Sequence, residues 1–290
     1  MRGDSKNMII DFHQLAVHDE KIMEEYIKAM DSVGIDKGCI MGMILPEKVK
    51  EGLKKMYELW GTTTTIPSSF IEDLWLNKPA DNDFVSKIVK KYPDRFIGFA
   101  WVDPTKGKKA IEEIEHAVKD LGLSALKISL PQFKMYPDDE RMYPIYEKAV
   151  ELDVPILFHG GIVGPSPYSW AKVTRPIYFD SIARDFPRLK IVVAHMGWPW
   201  FDEMFGVARM NDNIYIEVSG RVLHKINAIR KALFYEITPD KLIYGSDTSP
   251  EVLPSHFTTW KWLLNELGLS KQDIEKILGG NAAKLLKIKA

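Results

Sequence analysis

Short apolar runs alternate with amphipathic stretches along the whole chain. The apolar runs are rich in Val, Ile, Leu, Phe and Ala, and each predicts a strand that is covered on both faces. These strands are predicted at Met8–His13, Lys37–Gly42, Phe96–Val102, Ala125–Leu130, Pro155–Gly160, Lys190–His195, Ile214–Val218 and Leu242–Ser246. The pattern is typical of repeated parallel βα units.

Helical periodicity fills the intervals between the runs. In Lys108–Leu121 the apolar residues recur at a period near 3.6, which predicts a helix with one buried stripe. Further helices are predicted at Arg141–Leu152, Pro176–Phe186, Lys225–Phe234 and His256–Leu267. Eight such units in a chain of 290 residues predict one α/β domain, a closed (β/α)8 TIM barrel spanning residues 1–290. The alternative is an open doubly wound sheet, but the Gly-rich phosphate loop usual after an early strand is replaced by His13-Gln14-Leu15.

The segment 43–80, after the second strand, is too long for an ordinary βα connection. It carries several aromatic residues, including Trp60 and Trp75. A long insertion at the mouth, the end of the barrel where the carboxyl ends of the strands lie, predicts a lid or a pocket wall. The same residues are equally consistent with a packed excursion whose tryptophans complete a side core.

Residues 270–290 follow the eighth unit and predict C-terminal helices. Ser270 has Asp273 three positions later, a variant of the capping box that begins a helix. Gly279-Gly280 is expected to end that helix, and Asn281 to cap a short final one.

Charge and cysteine content exclude some function classes. A formal net charge of −1 and a pI near 6.7 give no basic field for nucleic acid or an anionic membrane. A polar start without an apolar signal region and the single Cys39 predict a cytoplasmic protein. The abundance of Lys and Glu with little Gln resembles a thermophile's composition.

Polar side chains close four of the predicted apolar strands. They are His13, His159, His195 and Asp247, at the ends of the first, fifth, sixth and eighth strands. Any one of them alone is more often a hydrogen-bonded structural residue than a ligand. In a closed barrel, however, the four strand ends surround one narrow mouth, so the side chains can converge. Imidazoles with one carboxylate suit Zn²⁺ or a similar ion with one position open to water.

The chain resembles the amidohydrolase superfamily, in the branch of aminocarboxymuconate-semialdehyde-decarboxylase-like proteins. The resemblance spans nearly the whole chain and depends on the order of its motifs. The motifs are Ile10-Asp11-Phe12-His13, Lys127 followed by Pro131, Tyr146-Glu147-Lys148-Ala149, Ile156-Leu157-Phe158-His159, Ala194-His195-Met196-Gly197, Tyr215 to Gly220, Gly245-Ser246-Asp247 and Ile277-Leu278-Gly279-Gly280-Asn281-Ala282-Ala283.

That resemblance implies a single divalent ion, Zn²⁺ first with Mn²⁺ or Fe²⁺ as alternatives, held by His13, His159 and Asp247. It also implies that Asp247 orients or deprotonates a metal-bound water. His195 would polarise the substrate or stabilise developing negative charge. These roles agree with the general chemistry of a metal-activated water beside a carboxylate.

One position departs from the family pattern: Leu15 stands where a second histidine of the first strand is usual. Strand alternation predicts that Asp11, His13 and Leu15 share a face. Either the site keeps only three ligands, or Asp11 and His13 bind the metal together. In the second case Asp11 would lie ~6–7 Å deeper along the strand than His13. Because the superfamily includes metal-free lactonases, a metal-free site is also an open alternative.

Two further residues are candidates for binding substrate. Lys127 lies within the fourth strand, where it can anchor a substrate carboxylate or pair with Asp11 or Glu217 inside the barrel. Arg221 follows the seventh strand at the mouth and is expected to line the pocket.

The leading functional hypothesis is a metal-dependent hydrolase of the amidohydrolase type. Its substrate would be a small ester, lactone, amide or carboxylic acid attacked by metal-activated water. The alternatives are a non-oxidative decarboxylase of the same branch, a metal-free lactonase, and a non-catalytic ligand-binding relative. A homodimer is expected only because two-fold assemblies are the commonest.

Overall fold

Eight parallel strands form one sheet in their order along the chain. The computed structural model describes residues 8–60, 70, 72–162, 169–220, 226–235 and 237–288. The strands are β1 (Ile10–Leu15), β2 (Lys37–Met41), β3 (Phe96–Trp101), β4 (Ala125–Ile128), β5 (Ile156–Phe158), β6 (Ile191–Val193), β7 (Ile214–Glu217) and β8 (Leu242–Ile243). All eight predicted strands are confirmed, and their ends move by at most three residues.

The two edges of the sheet meet and close it into a barrel. The backbone N–H of Phe12 donates to the carbonyl of Tyr244 at 3.0 Å, and that of Asp247 donates to the carbonyl of His13 at 2.7 Å. Every strand residue except Lys37 and Tyr215 is buried, as a sheet covered on both faces requires. The predicted (β/α)8 TIM barrel is therefore confirmed.

Helices follow the strands and cover the outside of the barrel. Polar caps define where several begin: the carboxylate of Asp19 accepts from the N–H of Lys21, and that of Asp81 accepts from the N–H of Phe84. No helix of the described ranges is long and apolar enough to cross a membrane. The α-helices are Glu20–Val33, Glu47–Trp60, Asn82–Lys91, Lys108–Lys119, Leu130–Phe133, Tyr143–Glu151, Ile177–Asp185, Phe201–Met210, Ile226–Tyr235, Leu253–Glu266, Lys271–Glu275 and Asn281–Leu286. Short 3₁₀ turns lie at Pro104–Lys106, Glu140–Met142, Ala171–Thr174, Ala194–Gly197 and Pro239–Lys241, and π-helical turns at Asp73–Asn77 and Lys276–Gly280.

The described parts of the 43–80 insertion are attached to the barrel. The indole N–H of Trp101 donates to the carbonyl of Ile44 at 3.1 Å, and the N–H of His18 donates to the carbonyl of Lys78 at 2.9 Å. Leu74, also in this segment, is fully buried. Residues 61–69 and 71, and the side chains of Trp60 and Trp75, lie outside the described part of the chain. A lid or pocket wall in this segment therefore stays a prediction.

The C-terminal helices differ from the sequence prediction at two points. Ser270 caps the Lys271–Glu275 helix as predicted, accepting from the N–H of Asp273 at 3.1 Å. The expected stop at Gly279-Gly280 is wrong, because both glycines lie in the π-helical turn that runs directly into Asn281–Leu286. Asn281 is helical and does not cap: its amide donates to the carbonyls of Pro239 and Leu242, at 2.9 and 2.7 Å. This pair of bonds fastens the C-terminal helix to β8.

Candidate active site

The four strand-end residues singled out in the sequence converge at the mouth of the barrel. The His195 ring lies 4.7 Å from the ring of His159 and 5.4 Å from that of His13, centroid to centroid. Asp247 lies between two imidazoles, with Oδ1 3.5 Å from His13 Nε2 and Oδ2 3.7 Å from His195 Nε2. The ends of β1, β5, β6 and β8 thus bring three imidazoles and one carboxylate into a single cluster.

A β-bulge on β1 decides which side chains of that strand reach the cluster. Asp11 is opposite Gly38 and Gln14 is opposite Ile40, so three steps on β1 match two on β2. The extra residue places Asp11 and Gln14 on one face, where the Gln14 amide donates to Asp11 Oδ2 at 2.9 Å. The expectation that Asp11, His13 and Leu15 share a face is therefore wrong.

Asp11 joins the edges of the barrel instead of joining His13 at a metal. Its Oδ1 accepts from the backbone N–H of Ser246 at 2.8 Å, next to β8, and from that of His13 at 3.2 Å. Burial raises the pKa of Asp11 to about 6, although these hydrogen bonds act to lower it. Leu15 is buried in the core and supplies no ligand.

His13 is held by partners on both sides of its ring. Nδ1 lies 3.1 Å from Oε2 of the buried Glu217 on β7, and Nε2 lies 3.3 Å from Nζ of Lys127 on β4. A carboxylate only accepts and an ammonium only donates, so Nδ1 carries the ring hydrogen and Nε2 the lone pair. Gly245 leaves room for this arrangement, because a Cβ there would lie 2.9 Å from the Cβ of His13.

Lys127 is the cation of the cluster and is fully buried. Burial lowers the pKa of Lys127 to about 8, while the negative charges of Asp247 and Glu217 act in the opposite direction. Within the described ranges no carboxylate oxygen lies within 4.0 Å of its ammonium, so the predicted pairing with Asp11 or Glu217 is not a direct contact. The contact that Lys127 does make is with His13.

His195 is placed by an unusual backbone at the end of β6. Its φ is 58° and that of Met196 is 56°, and Gly197 continues the left-handed turn at 64°. Asp247 also has a positive φ, 49°. Left-handed conformations are costly for residues with a side chain and are often found at functional sites. The turn presents Nδ1 of His195 to the hydroxyl of Ser219, 2.7 Å away.

His159 contributes a ring nitrogen that no described residue satisfies. Its Nε2 is buried without a hydrogen-bond partner in the described part of the chain. Burial holds the pKa of His159 well below its usual value, and the charges of Lys127 and His13 lower it further. A buried unpaired nitrogen costs free energy, and a bound ligand would remove that cost.

The donor atoms on the Nε2 side of the cluster have the chemistry of a divalent-ion site. His13 and His159 offer neutral imidazoles and Asp247 a carboxylate, which are the donors that Zn²⁺ and Mn²⁺ accept in proteins. Glu217 behind His13 is the kind of partner that orients a metal-ligating histidine. Among the described residues, the ammonium of Lys127, 3.3 Å from His13 Nε2, opposes an ion there.

A second group of possible ligands is less suitable. His13, His195 and Glu217 have ligand atoms that all lie within 4.8 Å of one another. The Ser219 hydroxyl already lies among them, 2.8 Å from Glu217 Oε2 and 3.4 Å from His13 Nδ1. On this side of the cluster the possible ligand atoms are instead hydrogen-bonded around the Ser219 hydroxyl.

Sequence reasoning named Glu217 only as a partner for Lys127 and gave Ser219 no role. Both are fully buried, and they are two positions apart at the end of β7. Their alternation with apolar neighbours was the available signal for a shared face. Arg221, the predicted pocket residue, lies outside the described residues.

Comparison with known proteins places the chain among relatives of known activity. The family model described as Amidohydrolase matches residues 74–288. The chain is 26% identical to a gamma-resorcylate decarboxylase of Polaromonas sp. over 254 residues, covering 71% of this chain and 75% of that protein. It is 30% identical to a 2-keto-4-carboxy-3-hexenedioate hydratase of Sphingobium sp. over 139 residues, covering 41% and 40%.

A solved structure shows the same fold. The dihydroxybenzoic acid decarboxylase of Polaromonas sp. JS666, with bound manganese and the inhibitor 2-nitroresorcinol, superposes with a TM-score of 0.63. The two chains are 19% identical, and the superposition covers 98% of each.

Proposed function

Because the chain belongs to the amidohydrolase family, we propose that it is a metal-dependent lyase that decarboxylates a small aromatic or unsaturated carboxylic acid. The convergence of His13, His159 and Asp247, with His195 as a further imidazole beside Asp247, carries the proposal. Hydrolysis was the leading hypothesis from sequence and decarboxylation its alternative. The named relatives are decarboxylases and a hydratase, and they favour the alternative.

Three residues would hold the ion in this proposal. They are His13 through Nε2, His159 through its unsatisfied Nε2, and Asp247 through its carboxylate. A bound divalent ion would supply positive charge for the substrate carboxylate and a neighbouring oxygen. Manganese, present in the related decarboxylase structure, is to be tested beside the predicted zinc.

His195 would supply the proton. Its Nε2 gives a proton to the substrate carbon that bears the carboxylate, and the bond from that carbon to the carboxylate then breaks. The electron pair of this bond returns to the ring or double bond, and CO₂ leaves. His195 acts from its protonated form in this step, and the carboxylate of Asp247 lies 3.7 Å from the Nε2 that releases the proton.

The remaining sequence predictions about function stay predictions. They are substrate contacts from Lys127 and Arg221, a homodimer, a cytoplasmic location and a thermophilic source. Hydrolysis stays the competing reaction, since a carboxylate beside a metal site can also serve to activate water.

The decisive experiment compares the two reactions in one preparation. Protein stripped with chelator and reloaded with Mn²⁺ or Zn²⁺ is incubated with 2,6-dihydroxybenzoate, 5-carboxyvanillate, and a panel of esters and lactones. We expect metal-dependent CO₂ release from at least one acid. Hydrolysis of an ester or lactone without CO₂ release from any acid would overturn decarboxylation in favour of the hydrolase.

Two variants test the residue roles. Asp247→Asn should abolish turnover, whereas Asp240→Asn, which alters an exposed carboxylate bound to Lys276, should not change it. His195→Asn should lower kcat by about 10²–10⁴-fold, the usual contribution of a general acid. His116→Asn, at an exposed helix position, is the matched control.

A further inference from the structure

We infer that Ser219 is a positioning residue that fixes the tautomer of His195, with its ring hydrogen on Nδ1 and its lone pair on Nε2. Only the catalytic consequence of this inference rests on the proposed function. The tautomer itself follows from which atoms of Glu217, Ser219 and His195 can donate a hydrogen.

Glu217 determines the direction of the first bond. It is buried, and its Oε2 lies 2.8 Å from the Ser219 hydroxyl and 3.1 Å from His13 Nδ1. Its Oε1 accepts from the backbone N–H of Ser219. The backbone N–H and the hydroxyl of Ser219 thus both donate to this one carboxylate, so the hydroxyl hydrogen of Ser219 points to Glu217.

The second bond must therefore run from His195 to Ser219. A serine hydroxyl has one hydrogen and two lone pairs, and its hydrogen is already used. The 2.7 Å contact between Ser219 Oγ and His195 Nδ1 requires a hydrogen from one of the two atoms. Only Nδ1 can supply it. If Ser219 donated to His195 instead, two acceptors would face each other 2.8 Å apart at Glu217.

The two bonds give His13 and His195 the same orientation. Each ring donates through Nδ1 towards the Glu217–Ser219 pair and presents Nε2 to Asp247, at 3.5 and 3.7 Å. Ser219 has no exposed surface, so bulk water does not reach its side chain to replace it. Ser219 thereby leaves Nε2 of His195, on the side of Asp247, as the nitrogen available to a substrate.

Nuclear magnetic resonance reads the tautomer directly. Two-bond ¹H–¹⁵N correlation spectra of protein labelled at its seven histidines distinguish a protonated Nδ1 from a protonated Nε2. Spectra are recorded at about pH 8, above the usual pKa of histidine, on protein as purified and after addition of Zn²⁺. The His195 signals are assigned by their loss in His195→Gln.

We expect wild-type His195 to carry its hydrogen on Nδ1. Ser219→Thr, which keeps the hydroxyl, should preserve that pattern, and Ser219→Ala should shift the population towards Nε2–H. Ser255→Ala, which removes an exposed hydroxyl bonded within its own helix, should leave the His195 signals unchanged. Wild-type protein with the hydrogen on Nε2, or a folded Ser219→Ala variant with an unchanged tautomer, would overturn the inference.

Kinetics separate this inference from the proposed function. If the protein decarboxylates, Ser219→Ala should lower kcat by about 10–100-fold, as loss of an orienting partner does at metal sites, with little change in KM. Ser219→Thr should restore most of the rate. An Nδ1–H spectrum without any decarboxylation overturns the proposed function alone, and decarboxylation with an Nε2–H spectrum overturns the tautomer alone.

Discussion

Replacing Lys127 by methionine tests how the buried cation and a metal ion share His13. A divalent ion at the usual metal–nitrogen distance of about 2.1 Å from His13 Nε2 would lie at most about 5.4 Å from Nζ, which is 3.3 Å from Nε2. With an effective dielectric constant of about 20, an ion and an ammonium at that separation repel by about 6 kcal/mol. The charged lysine therefore opposes binding of the ion.

Deprotonation of the lysine costs less free energy than this repulsion. With the pKa of Lys127 lowered to about 8, deprotonation at pH 7 costs only about 1.4 kcal/mol. Metal binding should therefore release this proton, and wild-type affinity at pH 7 should be about tenfold weaker than without the lysine. Lys127→Met removes the cost, so its Kd for Mn²⁺ or Zn²⁺ should be about tenfold lower at pH 7. The advantage should disappear near pH 9, where the lysine is already neutral.

Isothermal titration calorimetry of both proteins between about pH 6.5 and 9 measures the ratio of the two Kd values. Loss of Lys127 also removes a charge that lowers the pKa of His159, so the ratio is interpreted at about pH 7 and above, beyond the usual pKa of histidine. Lys241→Met, which removes a half-buried lysine bonded to backbone carbonyls far from the cluster, controls for general effects of losing such a residue. Equal affinities at pH 7, or a ratio that does not change with pH, would show that metal binding does not displace the Lys127 proton.

Three further predictions concern residues that support the site. Folding raises the pKa of Asp11 from 3.8 to about 6, so this carboxyl favours the folded state at low pH and loses that contribution as the pH rises from 4 to 6. Asp11→Asn lacks this pH dependence. Its free energy of unfolding, measured with urea at both ends of that range, should therefore rise by up to about 3 kcal/mol relative to that of wild type as the pH increases. A constant difference would contradict the raised pKa of Asp11. Gly245→Ala would force a Cβ against His13 and Glu217, and a thermal melt should show a loss of about 1–3 kcal/mol, unlike Gly206→Ala, where nothing lies within 4 Å of the added Cβ. Asn281→Ala leaves the carbonyls of Pro239 and Leu242 without their amide donor and should cost about 1–3 kcal/mol of unfolding free energy; an unchanged melting temperature would show that other donors replace it.

The pattern of apolar and polar residues was enough to predict the barrel and the four polar residues that meet at its mouth. Strands buried on both faces must be continuous apolar runs, so the eight runs were visible without any tertiary information. In parallel strands the carboxyl ends meet at one edge, so polar residues that close those runs must come together. His13, His159, His195 and Asp247 were found for that reason, although they are widely separated along the chain.

The hydrogen bonds that connect these residues depend on the folded barrel, and no local pattern predicts them. The bulge on β1 arises from the register of β1 against β2, and local alternation could not show that it turns Asp11 away from His13. The bonds that orient the imidazoles join His13 to Glu217 and to Lys127, residues separated by 204 and 114 positions. A pattern in one segment carries no information about which distant donor will lie within 3 Å of a given acceptor. Hydrogen bonding acts only over such distances, so the tautomers and the buried cation beside His13 are properties of the folded barrel.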